Sequence, residues 1–477
     1  MATLLTVPSW INGAEQTHDK SFPVVSPSTG QPCWNATSAS PADAICAVEA
    51  AEAALPAWKA TKPAQRQAIL LKAAALLEER AQDLCDIMSA EMGADTFTAE
   101  NIVLKLAVQM MRDCAYRCSS ICGSAPTVLA NGQSAMVWKE PYGVVLGITA
   151  WNAPYVFASR AIANAISTGN TTVIKSSELA PRCGWAVGRA LSDAGLPPGV
   201  VNIISCQASD APDVVKAMID HPAVKKVNFT GSAAVGRKIA IMCSQNLKPS
   251  LMELGGKNSA IILPDADLEK AAQACILGGF ANQGQICMAT SRLVILKQVA
   301  SRFFDVLKQR LDAAQAQKSS PPVVVTANSA SRLRGVLADA EAKGAKVLSG
   351  GQLSSSENTA RFLPTVIDEV NPDMEAWKEE NFGPLIGCVV AETEDEAVEI
   401  ANSSPYGLSA SIFTQDLRKG FALARKIEAG AVHINTMTIQ DEPPLPFGGV
   451  KQSGWGRFNA EEGMKEFLVT KCVTWDD

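Results

Sequence analysis

Val144-Val145-Leu146-Gly147-Ile148-Thr149 opens the stretch that settles the fold. Four more apolar runs follow, at Thr172–Lys175, Val200–Ile204, Val227–Thr230 and Leu251–Glu253, with segments of helical period between them. That alternation implies a parallel sheet covered on both faces, since each crossover helix returns over one face. Such sheets bind ligands beyond the carboxyl ends of their strands. Here those ends carry Trp151 and Asn152, Lys175, Gly231 and Ser232, and Glu253, a polar and chemically pointed set. No G-x-G-x-x-G occurs anywhere in the chain. In its place, Phe229-Thr230-Gly231-Ser232 with Gly236 starts a helix whose N–H groups and dipole could hold a pyrophosphate. A plain N-cap explains the same residues.

Just downstream lie Met252-Glu253-Leu254-Gly255-Gly256-Lys257 and Gly284-Gln285-Ile286-Cys287. The carboxylate ends an apolar run and the thiol sits in a Gly-flanked loop, 287 − 253 = 34 residues on, room for a crossover between two domains. A thiol nucleophile and a carboxylate base are the minimum set for forming and hydrolysing an acyl-enzyme thioester. One more buried cysteine and a solvated strand-end glutamate are the plain alternatives. The apolar Leu251 and Met252 and the flanking glycines fit poorly with a solvated Glu253.

Outward from this region, 477 residues exceed one hydrophobic core, so two or more domains are expected. A hydrophobic content of 47% and a charged content of 19% describe an ordinary soluble chain. The net charge of −6 argues against nucleic acid or an anionic membrane as partner. No apolar run reaches the ~18 residues of a membrane helix, and neither a secretory signal nor a peroxisomal address is present. Thirteen cysteines without pairing pattern suggest reduced thiols and a cytoplasmic location. Three histidines without paired spacing make a catalytic metal improbable.

Trp10-Ile11-Asn12-Gly13 and Ser26–Gly30 read as an opening strand and turn, and Pro41 to Met92 as two or three helices. Cys114, Cys118 and Cys122 repeat on one helical face, predicting three small side chains packed inward. Residues Ser124–Lys139 alternate around Asn131-Gly132, predicting a β-hairpin. Met110, Met111, Tyr155 and Met288 could line an apolar tunnel or belong to the core. His433 reads as a packed core residue; His18 and His221 have no evident partners. After Cys287 a second α/β half follows, with helices at Ala300–Ala314 and Ala330–Lys343. Two Gly-containing loops close the chain's chemistry, Glu379–Pro384 and Pro446–Gly454.

Seven motifs in order and spacing resemble the NAD(P)-dependent aldehyde dehydrogenase superfamily over nearly the whole chain. They are Trp151-Asn152-Ala153-Pro154, Lys175-Ser176-Ser177-Glu178, Phe229-Thr230-Gly231-Ser232 with Gly236, Glu253-Leu254-Gly255-Gly256-Lys257, Gly284-Gln285-Ile286-Cys287, Glu380-Asn381-Phe382-Gly383-Pro384 and Pro446-Phe447-Gly448-Gly449. The resemblance implies an α/β fold: a Rossmann-type parallel-sheet cofactor domain (1–123 and 140–252), an α/β catalytic domain (253–456) and a bridging β-hairpin arm (124–139 with 457–477) for a homodimer or homotetramer.

By the same resemblance Cys287 attacks the aldehyde, Asn152 and the Cys287 N–H hold the oxyanion, and Glu253 activates the hydrolytic water. Trp151, Lys175, Glu178, Gly231, Ser232, Gly236, Leu254, Glu380 and Phe382 form the cofactor site. The acidic residue at 178 implies NAD rather than NADP. Asp441-Glu442-Pro443 and Gln285–Met288 resemble the branch acting on salicylaldehyde, vanillin and benzaldehyde types, so a small aromatic aldehyde is expected. Ser176 stands where proline is commoner. The Gly-Asp/Asn-Pro and Gly-Pro motifs are missing from Ala316–Pro322 in the atypical 315–328 loop, and Gln315–Pro322 reads as a polar break. A coenzyme A-acylating relative and a silent binding protein of the same fold are the rival readings. Glu253 speaks against the first, and Cys287 with Glu253 against the second.

Overall fold

The computed structural model describes residues 4–316, 322–351 and 359–476. The first sheet runs Gly454–Trp455, Ser250–Glu253, Val224–Thr230, Val144–Ile148, Thr171–Lys175, Val201–Ile204, Ser9–Ile11, Ala14–Gln16. Its five central strands are parallel. The chain order reverses between Val144–Ile148 and Val224–Thr230, which opens a crevice at their carboxyl ends. The expected alternation is present, and these strands are almost wholly buried, as a sheet covered on both faces requires. Antiparallel strands close both edges. One of them, Gly454–Trp455, comes from the Gly-rich stretch expected to form no element.

A second sheet runs Lys346–Ser349, Thr365–Asp368, Leu385–Ala391, Thr290–Leu296, Asn258–Ile262, Ser409–Phe413, Ala431–Ile434, parallel except at its first pair. Three helices, Pro41–Lys59, Pro63–Glu79 and Ala81–Met92, precede the first sheet's core strands. Helix Ala327–Ala342 starts three residues before the predicted Ala330, because Thr326 caps it. The missing family motifs fall around residues 317–321, outside the described residues. The described remainder of that loop is anchored by Val325 N–H donating to Gln285 Oε1 at 2.8 Å.

The hairpin expected at Ser124–Lys139 is corrected. Gly132 does make the left-handed turn, but its two sides share only the bridge Ser124↔Val137. Strand Gln133–Pro141 instead pairs along its length with Leu468–Asp476, where nine residue pairs satisfy far more backbone than Pro126 and its exposed neighbours could. One face of this ribbon carries Met136, Trp138 and Trp475, between 42% and 46% exposed. The cysteine triplet is corrected too. Cys114 and Cys118 are buried, whereas Cys122 lies beyond the helix end at Arg117 and is exposed.

Glu91 is fully buried on helix Ala81–Met92. It accepts from Trp34 Nε1 (2.9 Å), Arg182 N–H (2.9 Å) and Cys183 N–H (3.1 Å), so it caps helix Pro181–Asp193 from another element. Burial lifts its carboxyl to about 7. Among the described residues no helix is long and apolar enough to cross a membrane, and no group of three or more His, Cys, Asp or Glu could hold a metal.

Candidate active site

Glu253 ends its strand with 1% exposure, and the chain turns at once through Leu254-Gly255-Gly256. The nucleophile loop is shaped by three successive left-handed residues, Asn282, Gln283 and Gly284 (φ 47°, 58° and 67°). Only glycine fits the last, since a Cβ there would lie 2.3 Å from the Gly383 carbonyl oxygen. Three side chains then lock the loop. Asn258 Nδ2 donates to the carbonyls of Cys287 (2.8 Å) and Ala289 (2.9 Å), Asn282 Nδ2 to that of Asn152 (2.9 Å), and Gln285 Nε2 to that of Asn282 (3.1 Å).

The outcome is that Cys287 Sγ–H donates to Glu253 Oε1 at 3.5 Å. Burial, with the Glu253 and Glu380 carboxylates nearby, pushes the thiol well above its ordinary value, so the resting group is neutral. Burial also raises Glu253, opposed by the Arg160 guanidinium. Asn152 Nδ2 donates to the Gln285 carbonyl at 2.9 Å, which leaves the amide's second hydrogen uncommitted, and Asn152 lines the same cavities as Cys287.

Two cavities meet at these residues. One, of about 730 Å³, is lined by apolar groups such as Ile102, Phe157, Met288 and Phe447 and by Asp441. Thr98–Leu104 contributes to it as a π-helical turn, a feature frequent at functional sites. Of the four residues suggested for an apolar tunnel only Met288 lines this space. Met110, Met111 and Tyr155 take the core alternative: each is at most 2% exposed, and the Tyr155 hydroxyl donates to Leu84 O.

The other cavity, about 550 Å³, lies at the crevice of the first sheet. Asn152, Phe157, Glu253 and Cys287 line both. At its outer part Lys175 Nζ reaches Glu178 Oε2 at 3.3 Å. In its wall Ser232 caps helix Ala233–Gln245 by accepting from Val235 N–H. Gly236 packs under Leu254, whose Cδ2 would lie 2.4 Å from an added Cβ. At its inner end Trp151 and Phe382 meet edge to face with centroids 5.5 Å apart. Glu380 accepts from Gly256 N–H at 3.0 Å, and burial raises its carboxyl to about 7. A dinucleotide fits this cradle: a helix start for phosphates, a carboxylate and ammonium for a ribose, and two aromatics at the inner end.

The structure also brings in residues that motif reading passed over. Arg160, on the wholly buried helix Pro154–Ser167, donates from Nη1 to Glu253 Oε2 (3.2 Å) and from Nη2 to Asp441 Oδ2. Asn459 Nδ2 donates to Asp441 Oδ1 at 2.7 Å. A lone charge in a mostly apolar helix was the available signal. Ser453 ties the Gly255 carbonyl to the Gly407 N–H. Lys257, the last residue of its motif, donates from its buried Nζ to Asn381 Oδ1 at 3.1 Å and braces the Glu380–Phe382 loop. His433 is only half-buried, and burial lowers its pKa. His18 does have partners, Ser9 and Asp43, and His221 accepts from Ala223 N–H.

The chain belongs to the aldehyde dehydrogenase family, whose signature ("Aldehyde dehydrogenase family") matches residues 11–473. It is 39% identical to the vanillin dehydrogenase of Pseudomonas fluorescens, over 99% of this chain and 98% of that one. A crystal structure of a salicylaldehyde dehydrogenase from Pseudomonas putida G7, complexed with salicylaldehyde, superposes with a TM-score of 0.95 at 34% identity, covering 99% and 98% of the two chains. The crystal structure of an E. coli NADP dependent enzyme superposes at 0.94 with 29% identity and the same coverage. The protein is thus an aldehyde dehydrogenase, an enzyme acting on small-molecule aldehydes with NAD or NADP.

Proposed function

We propose that this enzyme oxidises aromatic aldehydes, hydroxylated ones included, to carboxylic acids, with NAD preferred over NADP. The observation that carries the reading is the Cys287–Glu253 contact at 3.5 Å where the two cavities meet. Cys287 Sγ loses its proton to solvent and bonds to the aldehyde carbon, which leaves Glu253 ionised for the hydrolytic step. The free Asn152 N–H and the Cys287 backbone N–H receive the charge that develops on oxygen. Trp151 and Phe382 would border a bound nicotinamide, which would supply the hydride acceptor. The resulting Cys287 thioester is attacked by water, whose proton passes to Glu253, and the C–S bond breaks to return the thiolate.

The apolar residues lining the 730 Å³ cavity suit an apolar ring, in accord with the aromatic substrates named for the relatives above. The acidic Glu178 favours a free ribose hydroxyl over a phosphate. We assign the cofactor domain to 1–123 with 140–252, the catalytic domain to 253–456, and the arm to 124–139 with 457–477, whose exposed tryptophans suit a homodimer or homotetramer.

NADH formation across aliphatic, aromatic and ortho-hydroxyaryl aldehydes tests the assignment. It expects aromatic substrates to lead by kcat/KM, and a preference for aliphatic ones would overturn it. Coenzyme A added to the assay should yield no acyl-CoA product.

A further inference from the structure

We propose that Arg160 and Asp441 are positioning residues for Glu253: one guanidinium shared by two carboxylates fixes the pH at which the enzyme hydrolyses its thioester. This rests on the reading of Glu253 as the base. Three side chains remote in sequence converge on the geometry, Arg160 lying 93 residues from Glu253 and 281 from Asp441. Arg160 and Glu253 are each 1% exposed and Asp441 is 7% exposed in its side chain. Separate guanidinium nitrogens serve the two acids, a division a lysine ammonium reproduces poorly. The rings of Phe447 and Phe458, with centroids 4.8 and 5.4 Å from Arg160 Cζ, hold the cation in place and keep water from it.

With Glu253 ionised the triad carries a net charge of −1, and with Glu253 protonated it is neutral. Asp441 therefore makes Glu253 a better proton acceptor, while Arg160 keeps it ionised between turnovers and aimed at Cys287. Those opposed effects are the two Coulombic influences on Glu253, Arg160 lowering and Asp441 raising its pKa. The other groups facing Glu253 are the Cys287 thiol and the uncharged Thr230 hydroxyl at 3.3 Å, with Glu380 beyond Cys287.

The test is the pH profile of steady-state kcat, with the NADH burst recorded separately, in Arg160→Gln, Arg160→Lys, Asp441→Asn and Glu253→Gln. Arg160→Gln should move the acidic limb to higher pH by at least one unit and cut kcat at pH 7 at least tenfold while a burst persists. Asp441→Asn should move the limb the other way, and Arg160→Lys should recover part of the loss. Limbs that stay put, or that move in the same direction in Arg160→Gln and Asp441→Asn, while Glu253→Gln abolishes turnover, would overturn the proposal alone. Turnover undiminished in Glu253→Gln would instead overturn the reading beneath it.

Discussion

Replacing Glu178 by glutamine should relax the cofactor preference by a predictable amount. The Glu178 carboxylate lines the 550 Å³ cavity, 31% exposed in its side chain, with Lys175 Nζ 3.3 Å away. Two unit charges at ~4 Å repel by ~4 kcal/mol at the effective dielectric of a protein surface. Partial exposure and salt reduce that to roughly 1–2 kcal/mol. Hydrogen bonds from ribose hydroxyls to a carboxylate add ~1.5–3 kcal/mol in favour of NAD. Glutamine keeps an acceptor but loses the charge, and it frees Lys175 to meet a 2′-phosphate. The NAD/NADP ratio of kcat/KM should therefore fall by roughly 10- to 100-fold. Initial rates with both cofactors at one saturating aldehyde measure it directly. A parent enzyme that favours NADP, or an unchanged ratio in Glu178→Gln, would refute the reasoning.

Other outcomes follow from the same structure. Asn152→Ala removes one oxyanion donor, so kcat should drop by ~10²–10³ with KM little changed, as initial-rate kinetics would show. Glu91, lifted by burial from 4.5 to about 7, favours its protonated form in the folded state. The associated stability is present below its unfolded value and lost as pH rises towards 7, at most about 3 kcal/mol. Thermal midpoints of the parent should thus fall between pH 5.5 and 8 by more than those of Glu91→Gln. Charging the ribbon face by Trp138→Lys with Trp475→Lys should yield monomers in light scattering, and an oligomer of unchanged size would refute the arm assignment.

Much of this was legible because burial on both faces writes strands as apolar runs. Lys175 and Glu253 end the strands they were expected to end, and the candidate site residues other than Gly236 line two joined cavities. Periodicity failed where one pattern serves two environments. Met110 and Tyr155 suit a tunnel or a core equally by composition, and only tertiary packing decides for the core. The hairpin signal at Asn131-Gly132 was genuine as a turn, but strand Gln133–Pro141 found a better partner more than 300 residues away. Arg160, and the part Asp441 plays with it, went unread because an ion pair spanning 281 residues leaves no local trace beyond a charge in a mostly apolar helix.

The most direct measurement is the intact mass and active-site peptide of Glu253→Gln mixed with NAD and an aromatic aldehyde, quenched within seconds. The account predicts one acyl group per chain on Cys287, formed with a stoichiometric burst of NADH and slow turnover afterwards. Full turnover with no adduct, or an acyl group on a different cysteine, would contradict it.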